Sequence, residues 1–207
     1  MDTSDGQYNL QFIKKSRLKQ GDIFAMLLGD GKYLFGRLVK YNLDFENSPF
    51  AGSNLIYIYN VRSDNKDVDT SILTPDKLLT PPLFTNTILW SKGYAVKVAN
   101  ENITTEKLLA QHCFYSPSRR KYYDEQGKEL TAQIEPCGEW VYIVGLSYID
   151  NKISDALGIK RPPLTEDNLW YTSGRGEKIW YEQPISELKK YSNYEEIVKK
   201  YPEIIEK

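Results

Sequence analysis

Histidine and cysteine are nearly missing from this chain of 207 residues, which has one histidine and two cysteines. Nucleophilic catalysis of the Ser-His or Cys-His kind needs an imidazole within hydrogen-bond reach of the nucleophile. The single histidine, His112, stands next to Cys113. Adjacent side chains point to opposite faces of a strand and diverge by about 100° on a helix, so the two are not expected to pair. Zinc favours clustered Cys and His, which so small a supply does not provide. Cys113 and Cys137 are too far apart for a CxxC redox or zinc pair and too few for a disulfide framework, so they read as idle thiols. No catalytic residue, metal or cofactor is expected.

Excess charge is missing too. Lys and Arg number 27 against 28 Asp and Glu, leaving a formal net charge of −1. No global field draws such a chain to nucleic acid or to an anionic membrane. No apolar run approaches the ~18 residues of a membrane span. The start, Met1 to Gly6, lacks the basic and apolar stretches of a signal peptide, so a cytoplasmic location is expected.

What the chain does have is a hydrophobic content of 41%, enough for a sizeable core, and 16 tyrosines. Gly21 to Leu28 is an apolar run of strand length, closed by the turn residues Gly29-Asp30-Gly31 and followed by a returning strand from Lys32 to Tyr41. That second strand puts Tyr33, Phe35, Val39 and Tyr41 on one face and Leu34 and Leu38 on the other, so both faces are expected to be covered. Gly36 interrupts it, marking a bend suited to a strongly curved sheet or barrel. Leu55 to Val61 alternates as a third strand. Further strands are expected over Thr85 to Trp90, Tyr94 to Val98 and Trp140 to Val144, with an exposed hairpin over residues 121–130. Short helices are expected after Thr74-Pro75 and from Thr104 or Thr105 through His112. A longer helix from Ser147 ends at Gly158, and an amphipathic helix follows the capping box Ser192-Asn193-Tyr194-Glu195. The expected fold is α+β, a mainly antiparallel, strongly curved sheet or small, partly open barrel with a few short helices. Residues 1–160 are expected to form a β-rich domain, and 161–207 a C-terminal extension whose amphipathic helix packs on the same domain.

Several motif lookalikes fail on spacing. Asp64 to Asp69 lacks the glycine and the terminal glutamate of a calcium loop. Gly174-Arg175-Gly176-Glu177-Lys178 is too short to cradle phosphate, and Gly145 to Ile149 fails the nucleophile elbow at its last position. Surface features remain. The loops carrying Asp44, Glu46, Asp64, Asp67 and Asp69 lean acidic and could oppose the basic groove of a nuclease. Arg119-Arg120-Lys121 beside Tyr122-Tyr123 could hold single-stranded nucleic acid. Of the four tryptophans, Trp90 and Trp140 fall within expected strands, whereas Trp170 and Trp180 sit among polar residues and are the better candidates for anchoring a partner.

The stretches Gly21-Asp22-Ile23-Phe24, Leu28 to Tyr33 and Phe35-Gly36-Arg37-Leu38 resemble the opening signature of the immunity protein 26 family of bacterial polymorphic toxin systems. Leu79 to Leu83, Trp90 to Tyr94 and His112-Cys113-Phe114 continue the similarity in the same order, so that it spans roughly residues 18–160. The resemblance implies a cytoplasmic, non-enzymatic protein that binds a cognate toxin. It carries no catalytic residues. Gly21, Asp22, Phe24, Gly31, Gly36, Trp90 and Gly93 are its signature, read as scaffold. Asp44, Glu46, Asp64, Asp67, Asp69, Trp170 and Trp180 are the candidate partner contacts. No membrane or direct nucleic-acid partner is expected. The alternatives are an RNA-binding or ribonuclease-like small barrel and a carbohydrate-binding module, the latter requiring Trp170 and Trp180 side by side.

Overall fold

The structure is a computed structural model and describes residues 8–43, 52–140, 145–165, 170–172, 178–180 and 184–202, with 170–172 and 178–180 described by their backbone alone. The described residues fall into two compact units, one lying within Leu10–Ile153 and one that joins Tyr8 and Asn9 to the described residues from Ser154 onward.

In the larger unit a short strand, β1 (Leu10–Gln11), pairs antiparallel with the end of β2 (Asp22–Leu28), the expected apolar run. β3 (Tyr33–Lys40) returns alongside β2 in register from Ile23 opposite Arg37 to Leu27 opposite Tyr33. The turn between them has Gly31 at φ +84°, a conformation that costs a residue without Cβ little. β4 (Asn54–Ser63) pairs with β3, and β5 (Leu83–Thr85) pairs with the first residues of β4. After a four-residue helix, α1 (Ile88–Ser91), the strand β6 (Val96–Asn100) comes back to β2. One edge of β2 is therefore taken by β3, and the other is shared by β1 and β6. The register shifts once between β2 and β6 and twice between β3 and β4. Such bulges add twist and bend to a sheet, which here curls into a half-barrel.

Gly36 shows why the curl needs glycine. A Cβ at this position would sit 2.3 Å from the Phe24 ring and 2.6 Å from the Tyr57 carbonyl oxygen. The Phe24 ring fills the place of the missing side chain across the strand pair. Both faces of the sheet are buried, as the alternation predicts: Phe35, Val39, Leu55 and Tyr57 on one, Phe24, Leu34, Leu38 and Ile58 on the other.

A second sheet has β7 (Cys113–Ser116), β8 (Lys121–Tyr123), β9 (Glu129–Leu130) and β10 (Cys137–Glu139), in the order β10-β7-β8-β9. Only its β7–β10 pair is parallel among the described strand pairs. The two sheets meet where Phe84 and Phe114 pack with ring centroids 4.4 Å apart.

The helix α2 (Leu146–Leu157) follows, with Ile149 and Ile153 buried and Gly158 at positive φ beyond its end, as the periodicity predicts. The smaller unit holds a two-stranded ribbon of β11 (Trp170–Thr172) and β12 (Lys178–Trp180), the short α3 (Ile185–Leu188) and α4 (Tyr194–Lys200). Leu164, Leu188 and Ile197 form its core. Arg161 ties it together, bonding both carboxylate oxygens of Asp155 at 2.9 and 2.6 Å and Glu187 at 2.8 Å.

Three local expectations differ from the structure. Thr85 to Trp90 is not a strand: β5 stops at Thr85, and Asn86 accepts the Ile88 N–H at 2.8 Å to start α1. The helix expected through His112 shrinks to one 3-10 turn, Thr105–Lys107, because the following residues go on to β7. The N-cap of α4 is Asn193 rather than Ser192, and the Asn193 side chain is taken by the backbone of Leu164, at 2.9 and 3.0 Å. Trp140 is described, but the rest of the strand expected through Val144 lies outside the described residues.

Replacing Gly36 with alanine is expected to destabilise the protein by about 2–3 kcal/mol, because Phe24 and a backbone carbonyl must both give way. Urea denaturation checks this. Gly31→Ala, with nothing within 4 Å of its Cβ, serves as the control for backbone strain alone.

Candidate functional site

Two of the signature residues, Gly21 and Asp22, stand at one corner of the half-barrel, where β6 comes back to the start of β2. Asp22, buried at the start of β2, accepts the Lys19 N–H at 2.9 Å, the Asn100 amide at 2.7 Å and the Lys97 ammonium at 2.7 Å. Those bonds tie the end of β6 to β2. Gly21 permits the approach: its Cβ would fall 2.4 Å from the Glu101 carbonyl oxygen, and the Glu101 N–H donates to the Gly21 carbonyl at 3.1 Å. Trp90 is buried in α1, and Gly93, just past α1, accepts the Ile13 N–H at 2.8 Å.

This corner aims the Glu101 side chain at Arg37, whose guanidinium lies within the sheet and is completely buried. Arg37 donates to Glu101 at 2.9 Å and to the Tyr59 hydroxyl at 3.3 Å. Its Nη1 has no hydrogen-bond partner among the described residues. A buried charge without a counter-ion is strongly destabilising, so Glu101 is obligatory. Burial would raise the Glu101 carboxyl, but hydrogen bonds from Thr70 and Arg37 outweigh it and hold it below its usual value. The Thr70 hydroxyl donates to the second Glu101 oxygen, and the Lys107 ammonium bonds the Thr70 carbonyl at 3.2 Å.

Thr70 opens the 3-10 turn Thr70–Ile72, which Asp69 caps by accepting the Ser71 N–H at 3.0 Å. Asp69, Asp67 and Asp64 are exposed on the loop that leads from β4 into this turn. Asp67 N–H bonds the Asn65 side chain at 2.9 Å, and the loop leans on the β2–β3 turn through Lys32–Asp64 at 2.7 Å and through Arg62–Asp30. An acidic loop is thus fastened from beneath by a buried cation, through Glu101 and Thr70. The Ser71 hydrogen bonds hold the Asp69 carboxyl below its usual range, so it stays ionised.

A second buried chain braces the sheets. The Tyr57 hydroxyl lies 2.6 Å from His112 Nε2, and Glu125 lies 3.0 Å from His112 Nδ1. A carboxylate only accepts, so Nδ1 donates to Glu125, while Nε2 and the Tyr57 hydroxyl share the other hydrogen bond. Burial pushes the Tyr57 hydroxyl well up, which keeps it a donor, and it also accepts the Leu109 N–H at 3.1 Å. Lys40 bonds the other Glu125 oxygen at 2.7 Å. Burial alone would raise the Glu125 carboxyl, but the bonds from His112 and Lys40 bring it down to about 2. His112 is thus engaged through both ring nitrogens and sits against Phe114 rather than against its sequence neighbour.

Of the candidate partner contacts, Asp64, Asp67 and Asp69 share this loop, whereas Asp44 and Glu46 lie outside the described residues. Trp170 and Trp180 belong to the smaller unit, where the β11–β12 register sets them opposite one another. In the basic cluster Arg119 lies over the Tyr123 ring, and Lys121 pairs with Glu129 at 2.7 Å. Among the described residues no group of His, Cys, Asp or Glu is placed to hold a metal ion, and no helix is long and apolar enough to cross a membrane. Sequence reasoning missed Arg37, Glu101, Thr70 and Glu125. Arg37 was within its reach, because it lies between Phe35 and Val39 on the same face of β3.

Glu101→Gln is expected to cost about 2–4 kcal/mol by leaving Arg37 without a carboxylate. It should also raise amide exchange at Ser71, Ile72 and Leu73 beyond that of the rest of the sheet. Acid titration gives a separate readout. Glu125 has its carboxyl lowered from 4.5 to about 2, so its contribution is complete above about pH 4.5 and is lost as pH falls toward 2. Glu125→Gln is expected to remove up to roughly 3 kcal/mol at neutral pH and to flatten that part of the stability–pH curve.

Residues 19–121 match the family model described as Immunity protein 26. That segment contains Gly21, Arg37, the acidic loop, Glu101 and His112, and stops short of Glu125. No curated protein and no solved structure matches the chain. Through residues 19–121, the chain belongs to the immunity protein 26 family.

Proposed function

We propose that this protein binds a cognate bacterial toxin of a polymorphic toxin system and neutralises it, and that the Asp64–Asp69 loop is part of the contact. Family membership carries the first half of this reading. The single structural observation behind the second is that an exposed acidic loop is held in place by a buried Arg37–Glu101–Thr70 chain. Loops that bind are most effective when their conformation is set beforehand, because less ordering entropy is lost on association.

Ionised carboxylates on a fixed loop match a basic surface, and nuclease effectors carry one where they grip the phosphate backbone. A nuclease is therefore the toxin class that fits best, and the cytoplasm the compartment in which the antidote must act. Protection demands a dissociation constant of about 1 nM or below, roughly 12 kcal/mol, which an interface of about 1,600 Å² can supply. Association with the toxin is the whole activity, with no bond made or broken.

If a toxin is encoded beside this gene, co-expression of the two products is expected to restore growth and to yield a complex that co-purifies. Asp64→Asn with Asp67→Asn is expected to slow association about three- to tenfold and to weaken its salt dependence, while lowering stability by no more than about 1 kcal/mol through the exposed Lys32–Asp64 pair. Loss of protection only on unfolding the protein, with no effect of the loop charges, would contradict the proposed contact.

A further inference from the structure

Cys113 and Cys137 take no part in the acidic loop, yet the fold brings them together. The parallel β7–β10 register sets them directly opposite one another, and their sulfurs lie 3.4 Å apart. Neighbouring strands run about 4.8 Å apart, inside the roughly 4.4–6.8 Å span of Cα atoms that a disulfide bridges. Closing a bond of about 2.05 Å therefore calls for side-chain rotation rather than backbone movement. Access to the pair is one-sided: Cys113 is fully buried, whereas Cys137 is partly exposed. The chain between them carries the whole β8–β9 hairpin and with it Glu125, which holds His112 and Lys40.

We infer that Cys113 and Cys137 form a modification site, a dithiol that a small disulfide such as oxidised glutathione converts into an intramolecular disulfide joining β10 to β7. The partly exposed Cys137 loses its proton and attacks one sulfur of oxidised glutathione. The glutathione S–S bond breaks and one glutathione thiolate leaves. Cys113 then loses its proton and attacks Cys137 Sγ. The mixed disulfide breaks, the Cys113–Cys137 bond forms and a second glutathione thiolate departs. The two cysteines are oxidised by two electrons in all, one glutathione disulfide is reduced to two thiols, and the two released protons end on those thiols. Burial, the Cys113 thiol and the Glu135 carboxylate push the Cys137 thiol up to about 12, so the first step is slow at neutral pH. The product closes a loop around the hairpin and restricts the unfolded chain.

The test equilibrates the full-length protein with oxidised and reduced glutathione at graded ratios, followed by intact mass, thiol alkylation and peptide mapping without reductant. The expected product is a monomer lighter by two hydrogens, with no alkylatable thiol, a mapped Cys113–Cys137 bond and a melting temperature higher by roughly 4–8 °C, all reversed by dithiothreitol. Cys113→Ser is expected to retain one glutathione on Cys137, and Cys137→Ser none. Wild-type protein that keeps a stable glutathione adduct, forms a disulfide-linked dimer, or retains both free thiols at the most oxidising ratio would overturn the assignment. Mapping of the wild type decides the matter even if a variant fails to fold. None of these readouts involves a toxin, so they are independent of the proposed loop contact.

Discussion

A fully buried guanidinium at Arg37 sets the terms for the surrounding structure, because a charge in the interior must meet a counter-charge or the fold does not hold. Glu101 supplies it only because β6 returns to the start of β2 and is fixed there by Asp22 and by the close passage at Gly21. Satisfying Arg37 leaves the second Glu101 oxygen to accept from Thr70, and the Thr70 turn ends the acidic loop. Gly21 and Asp22, at the root of β2, thus help to hold in place a loop far away in sequence. In the proposed complex a partner need not touch Gly21 or Asp22 for those residues to influence the contact.

The Tyr57–His112–Glu125 chain does comparable work between the sheets, with Lys40 completing the Glu125 carboxylate. Buried polar groups of this sort specify geometry, since each has a limited set of satisfying arrangements. Under the proposed function that rigidity favours association, because a prearranged contact loses less entropy on docking. The same residues in another arrangement would suggest a proton relay. Here every member is engaged within the protein, and the histidine is a brace.

The strands that carry alternating apolar residues were legible in the sequence, as were the β2–β3 hairpin, the bend at Gly36 and the helix ending at Gly158. Alternation and glycine report the backbone directly. The short helix α1 was not, because Ile88, Leu89 and Trp90 are the residues a buried strand would also contain, and only the Asn86 side chain starts the helical turn. The buried polar chains were harder still. Arg37 could be placed by parity, but nothing in the order of residues links it to Glu101 or joins His112 to Glu125 in a hairpin turn. Those pairings are products of topology. Asp64, Asp67 and Asp69 were recognisable as an exposed acidic run, whereas the fastening beneath them was not.

The account holds that the loop from Asp64 to Asp69 meets the partner on a scaffold already set before contact. Amide hydrogen exchange of the free protein and of its toxin complex tests this most directly. Protection gained on binding across residues 64–73, with little change in the β2–β3 core, is the predicted result. Binding that leaves those residues as exchangeable as before, with protection confined to another face, would contradict it.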